Sequence, residues 1–199
     1  SDLANTLGNL VNRTISMTNK YFDGVVTNAG DAEDPDSELI AIAKEVKAKV
    51  AEKMEGLHIA DAMTELFVLF KRCNKYIDET SPWALNKDQD KKSRLETVMY
   101  NLLETINIGA NLLYPFLPET SDKILKELGV SKREFNLLDQ FGLTDCFEVT
   151  AEPQILFERI KMADIQPTID EIVAKQKAEN APKIEFKEVE PITIDDFAK

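Results

Sequence analysis

Helical periodicity of the apolar residues constrains this chain more than any other feature of its sequence. In four segments the apolar positions recur at a spacing close to 3.6 residues, which places them along one face of a helix. These segments are residues 2–21, 37–55, 57–78 and 88–114. Such a pattern predicts an all-α fold, a helical bundle of about five main helices with a C-terminal extension.

Helix breakers separate these segments at regular places. Asp23-Gly24 ends the first segment, Gly56 ends the second, and Ser81-Pro82 ends the third because proline removes a backbone donor. Asp36 or Ser37 is the expected N-cap of the second helix, since a short side-chain oxygen accepts a free first-turn N–H.

Weaker patterns occupy the remainder of the chain, and each predicts a short element. We expect a loop at 23–36, helices at 119–128 and 132–141, an extended segment at 146–150, and a helix at 168–179. Two of these helices begin with capping-box spacing, at Ser131 with Glu134 and at Thr168 with Glu171.

The predicted domain division follows from this reading. Residues 1–160 form the helical domain, 161–180 contain one additional helix, and 181–199 are a linker, rich in Pro, Lys and Glu, that leads into a further domain. The chain starts without Met, which suggests a piece of a longer protein.

Charge excludes one class of nucleic-acid binder. The chain of 199 residues has 36 acidic and 24 basic side chains, for a net charge of −12. A broadly basic, sequence-independent RNA-binding surface is therefore excluded. The net negative charge comes from residues 28–38, 139–158 and 181–199, and the other segments together are neutral. The net charge therefore does not exclude a local reader of a few bases.

Catalytic groups are scarce. The single histidine, His58, is expected to have a capping or surface role, and Cys73 lies on an apolar helix face where we expect a core position. We expect a core position for Cys146 as well. Two cysteines are too few for a disulfide framework or a zinc site. We predict no catalytic residue and no metal site in this chain. No apolar run is long enough for a membrane span and no signal peptide is visible, which favours a cytoplasmic protein.

The first helix carries a row of amide and guanidinium side chains, which are unusual on a helix face that only contacts solvent. Asn5, Asn9 and Arg13 recur every four residues and so share one face, with Asn12 nearby. One interpretation is interhelical hydrogen bonding within the bundle. The other is recognition of nucleic acid, because amides and guanidinium groups pair well with base edges and phosphates.

Trp83 is the only tryptophan and follows directly after Pro82 in the break between two helices. It could be a hydrophobic plug between helix ends. Alternatively it is an exposed platform on which a base stacks, held by the restricted backbone of the preceding proline.

Several motifs, in order along the chain, resemble the anticodon-binding domain of methionyl-tRNA synthetases. They are Leu7–Arg13, Asn19–Gly24, Asn74–Trp83 and Leu156–Ile160, the last with Glu158 where proline is common. Ile192–Lys199 resembles the opening of the family's C-terminal tRNA-binding, dimer-forming domain.

The resemblance implies an α-helical domain of a class I aminoacyl-tRNA synthetase that recognises the CAU anticodon. By position, Asn9, Arg13 and Trp83 are the implied anticodon-binding residues, with Asn5 and Pro82 as supports. The family's catalytic HIGH and KMSKS signatures are absent. The stretch that begins at His58 starts like the HIGH signature but lacks its second histidine. This chain alone should therefore be inactive.

The same resemblance implies the partners and cofactors. The partners are methionine tRNA, through its anticodon loop, and the catalytic domain of the same chain. ATP, and often zinc, would be held by that catalytic domain, and no cofactor is expected in this chain. We expect a monomer here and a homodimer for the parent enzyme, formed through its C-terminal domain. The alternative function is a helical protein-interaction module that binds a partner helix in an apolar groove.

Overall fold

A computed structural model describes residues 2–158 and 162–180, and it confirms the all-α fold class. The described chain falls into two compact units whose boundary lies between Glu158 and Arg159. Arg159, Ile160 and the predicted linker at 181–199 lie outside the described residues. The helices of the first unit are α1 (Asn9–Phe22), α2 (Asp34–Glu55), α3 (Ile59–Thr80), α4 (Pro82–Leu85), α5 (Lys92–Leu113) and α6 (Pro118–Glu127).

The predicted apolar faces of α2, α3 and α5 form the centre of the core. Leu66, Phe70 and Leu103 are among the side chains with no exposed surface. Cys73 is buried with them as predicted, and burial raises the pKa of its thiol to about 12, so it stays protonated at neutral pH.

The first helix is wider at its start than its sequence suggests. Residues Leu3–Gly8 form a π-helical segment, which continues directly into α1. The predicted stop is confirmed: Asp23 adopts a left-handed conformation with φ of 52°, and Gly24 follows with φ of 85°. A side chain at Gly24 would also collide, because its Cβ would lie 2.9 Å from Oδ1 of Asn19.

The predicted N-cap of α2 is wrong by about one turn. Glu33 is the N-cap, and Asp36 is the third residue of the helix, where it closes a capping box with Glu33. Asp36 is nearly buried, and both of its carboxylate oxygens accept hydrogen bonds from Arg94, at 2.7 and 2.8 Å. Tertiary pairing with α5 thus places Asp36 inside the helix.

That carboxylate joins three helices. The Tyr76 hydroxyl of α3 donates to Asp36 at 2.6 Å and accepts from the side chain of Asn101 on α5. Burial alone would raise the pKa of Asp36, but the hydrogen bonds from Arg94 and Tyr76 outweigh it and hold that pKa below its ordinary value.

Two short strands close the bundle at one side. β1 (Val25–Thr27) pairs antiparallel with β2 (Cys146–Glu148), with Val26 opposite Phe147. The extended segment predicted near residue 146 is confirmed, whereas β1 falls in a predicted loop. Three residues are too few to show an alternating pattern, so only the pairing reveals the strand.

The helix predicted for residues 132–141 is wrong. The described residues form a loop with one 3₁₀ turn, Phe135–Leu137, and the Ser131–Glu134 capping box does not begin a helix. The loop is organised by the buried Glu104 carboxylate of α5, which pairs with Arg133 at 2.9 Å and accepts the backbone N–H of Gly142.

The second unit contains one described helix, α7 (Met162–Glu179). It begins before Thr168, the predicted start, and runs through Pro167. The Thr168–Glu171 spacing therefore lies inside the helix and caps nothing. Among the helices of residues 2–158 and 162–180, none combines the length and the apolarity of a membrane span.

Candidate nucleic-acid interface

The break between α3 and α4 presents Trp83 to solvent. Ser81 has a left-handed conformation with φ of 45°, which turns the chain, and Pro82 is the first residue of α4. Pro82 is buried, whereas 43% of the Trp83 surface is exposed. It is therefore Pro82 that is buried between the helix ends, whereas the Trp83 indole faces solvent.

Arg13 of α1 lies beside this indole. Its Cζ is 5.9 Å from the centroid of the Trp83 ring, within the range of a cation–π contact. Its Nη2 is also 3.9 Å from Oδ1 of Asp78 on α3, and both side chains are largely exposed. An exposed pair at that distance is weak, at roughly 0–1 kcal/mol, so Arg13 is oriented but free to turn toward a ligand.

Asn9 lies one helical turn before Arg13 and is also exposed. We call Asn9, Arg13 and Trp83 together the Trp83 surface. Asn5 is exposed too, a further turn away in the π-helical segment. The structure thus places Arg13 and Trp83 in contact, Asn9 next to Arg13 on the same helix face, and Asn5 at the far end of the row.

Asn74 supports this surface, although no pattern in the sequence indicates such a role. Its Nδ2 donates to the carbonyl of Thr6 at 3.1 Å and to that of Phe70 at 3.0 Å. It is therefore Asn74, not Asn5, that joins the π-helical segment to α3. The ion pair of Asp78 with Arg13 cannot be predicted from the sequence either, because the two residues are far apart along the chain.

The other chemistry-bearing residues stay apart from this surface. His58 precedes the first residue of α3 and is exposed, but its side chain makes no capping hydrogen bond, so only the surface role remains. Cys146 is a half-buried free thiol. Within the described residues no group of three His, Cys, Asp or Glu side chains is placed to hold a metal ion.

The Trp83 surface suits a single-stranded base. An exposed indole can stack on a base, a guanidinium can donate to a base edge or a phosphate, and an amide can both donate and accept. Arg13 supplies positive charge at this surface.

A family model settles which proteins this fold belongs with. Residues 26–175 match the model described as the anticodon binding domain of methionyl tRNA ligase. The chain belongs to this family. Trp83 lies inside the matched region, whereas Asn9 and Arg13 precede it.

Relatives of this anticodon-binding domain match the whole chain. It is 40% identical over 200 residues to the methionine–tRNA ligase of Clostridium acetobutylicum, and that match covers 100% of the chain and 31% of the ligase. The ligase of Clostridium tetani is 43% identical over 199 residues, with 100% of the chain and 30% of the ligase covered. The domain therefore spans about a third of the length of these curated relatives.

Solved structures agree. The apo form of Mycobacterium tuberculosis methionyl-tRNA synthetase superposes with a TM-score of 0.74 at 31% identity, over 81% of this chain and 33% of that one. Its complex with methionyl-adenylate superposes with a TM-score of 0.73. Membership in this family favours anticodon recognition over the alternative, a protein-interaction module with an apolar groove.

Proposed function

We propose that this domain reads the CAU anticodon of methionine tRNA through the Trp83 surface. The observation that carries the proposal is the pairing of an exposed indole with the Arg13 guanidinium at 5.9 Å, on a domain of this family. An anticodon loop offers unstacked bases, which can stack on an aromatic ring and be read along their edges.

Each residue has a distinct proposed role. Trp83 stacks on one anticodon base, while the Asn9 amide and the Arg13 guanidinium hydrogen-bond to base edges, and Arg13 also adds positive charge near the RNA backbone. Pro82 and Asn5 are supports: buried Pro82 fixes the start of α4, and exposed Asn5 extends the polar row of the first helix.

The larger reaction belongs to a parent enzyme. We propose that this domain is part of a cytoplasmic methionine–tRNA ligase that joins methionine to its tRNA with ATP. ATP, and often zinc, would be held by the catalytic domain of that enzyme, as the family resemblance implies. The relatives are about three times the length of this chain, which leaves room for such a domain. The 199-residue chain should bind RNA as a monomer without catalysing either step, and the parent should dimerise through its C-terminal domain.

Tryptophan fluorescence gives a direct test, because the single indole reports one site. The chain is titrated with a hairpin that carries the CAU anticodon in its loop and, separately, with a hairpin of equal length and scrambled loop. We expect saturable quenching with the CAU hairpin and much weaker binding of the scrambled one. Equal affinity for the two hairpins would contradict the proposal.

A pair of variants on α1 sharpens this test. Asn9→Ala removes an amide of the Trp83 surface, whereas Ser16→Ala changes another exposed residue of the same helix. The first should weaken binding of the CAU hairpin, and the second should leave it unchanged.

A further inference from the structure

A short segment of the chain lies beside the exposed face of the first helix. It is formed by residues 150–158, which we call the strap. A groove of about 330 Å³ separates the strap from the helix. The groove is lined by Ala4, Gly8, Asn9 and Asn12 from the helix and by Ile155, Leu156 and Phe157 from the strap.

Hydrogen bonds fix the strap at its beginning. The backbone N–H of Thr150 donates to the carbonyl of Glu127 at 2.8 Å, and that of Gln154 donates to the Glu127 carboxylate at 2.9 Å. The side chain of Asn19 on α1 donates to the Thr150 carbonyl at 2.8 Å. These bonds set the course of the strap along α1.

Close packing fixes its other end. A Cβ at Gly8 would lie 3.3 Å from Cδ2 of Phe157, so the absence of a side chain there lets the ring approach the helix. The groove is thus held open by two anchored walls.

The chemistry of the lining points to a nucleobase. Asn9 and Asn12 are exposed and three residues apart on α1, so both amides face the same side. Ile155 is 72% exposed, so its apolar side chain is accessible to a ligand in the groove. Among the described residues, none that lines the groove is charged, so this lining suits the neutral base of a nucleotide better than its phosphate.

The groove is continuous with the Trp83 surface, because Asn9 belongs to both. We propose that the groove binds a second nucleobase of the anticodon loop, with the Asn12 amide at the edge of the base and Ile155 against its face. This inference rests on the proposed function, and it assigns Asn12 and Ile155 as further specificity-determining residues.

The test uses the 199-residue chain and fluorescently labelled hairpins, with affinity measured by anisotropy. One hairpin carries CAU, and three others each lack one anticodon base. The variants are Asn12→Ala and Ile155→Ala, whose side chains are exposed, so folding should be preserved. Ser16→Ala is the control on the same helix.

We expect both variants to weaken binding of the CAU hairpin by about 3- to 10-fold, as for the loss of one modest contact. For one of the three hairpins that lack a base, and the same one for both variants, the variants should bind as tightly as the unchanged chain. Trp83→Ala should lose its penalty with a different hairpin, because it contacts a different base. Ser16→Ala should bind all four hairpins as the unchanged chain does.

Two results would overturn the inference. One is unchanged binding of the CAU hairpin by both variants; the other is an equal loss for all four hairpins, which would mean a contact with the RNA backbone. Failure of the proposed function is recognised separately, because the unchanged chain would then bind CAU and scrambled hairpins equally.

Discussion

Trp83 and Tyr114 are equally exposed, at 43% each, but only Trp83 lies beside Arg13. In the full-length methionine–tRNA ligase proposed as the parent enzyme, Trp83→Ala should raise the KM for methionine tRNA by about 5- to 150-fold, since stacking on one base contributes about 1–3 kcal/mol. Methionine activation, measured as ATP–pyrophosphate exchange, should be unchanged.

Tyr114→Ala provides the matched control and should leave the KM for tRNA unaltered. An equal fall in tRNA charging and methionine activation for Trp83→Ala would mean that the indole supports the fold instead of the RNA.

Gly109 of α5 illustrates how one missing side chain sets helix packing. A Cβ there would lie 2.5 Å from Cε1 of Phe70 on α3, a ring that is fully buried. Gly109→Ala should gain about 1 kcal/mol of helix propensity but lose about 1–3 kcal/mol by overpacking. We expect a net loss in the free energy of unfolding, measured by urea denaturation.

Gly56→Ala serves as the comparison, because the nearest atom to its Cβ would be at an ordinary 3.5 Å. It should be neutral or slightly stabilising. A Gly109→Ala variant as stable as Gly56→Ala would show that α3 and α5 can separate without cost.

Among the elements, the π-helical segment depends on α3 through Asn74. Asn74→Ala removes the hydrogen bond to the Thr6 carbonyl, at a cost of about 1–2 kcal/mol. We expect faster amide hydrogen exchange across residues 3–8 and weaker binding of the CAU hairpin, because the polar row begins in this segment. Asn28→Ala, in the exposed loop after β1, should change neither. Unchanged exchange in Asn74→Ala would contradict the support role.

For the whole molecule, the Asp36 carboxylate couples stability to pH. Its pKa is held below the ordinary 3.8, so the stability that it contributes is fully present above that value and is lost as pH falls through the lowered pKa. Asp36→Asn leaves the buried Arg94 without its main partner, at a cost of about 3–5 kcal/mol. Tyr76→Phe removes only one hydrogen bond, at about 1 kcal/mol.

Urea denaturation over a pH series from neutral to well below 3.8 measures this coupling. The penalty of Tyr76→Phe should shrink toward the acid end, where Asp36 becomes protonated. Asp164→Asn, in the second unit, should follow the unchanged chain at every pH. A Tyr76→Phe penalty that is independent of pH would exclude Asp36 as the source.

The overall charge predicts a weak dependence of RNA binding on salt. Each phosphate contact on a single strand contributes a slope of about −0.7 to the plot of log affinity against log salt concentration. With a net charge of −12 and Arg13 as the cation of the Trp83 surface, the CAU hairpin should show a slope of about −1. A slope of about −4 or steeper would indicate a broad basic surface instead.

The sequence by itself determined the main helices and the break that precedes Trp83. The apolar periods of α2, α3 and α5 and the Ser81-Pro82 break depend on neighbours within a few residues, so they can be read locally. The motif that ends at Trp83 indicated the family in the same way.

Only the tertiary structure decided which distant groups meet. Capping patterns misplaced the start of α2 and predicted a helix at 132–141, because Asp36 and Arg133 are held by buried partners on α5. The contact of Arg13 with Trp83 and the course of the strap beside Asn12 likewise join residues far apart in the chain. Such contacts depend on how the helices pack, which no local pattern records.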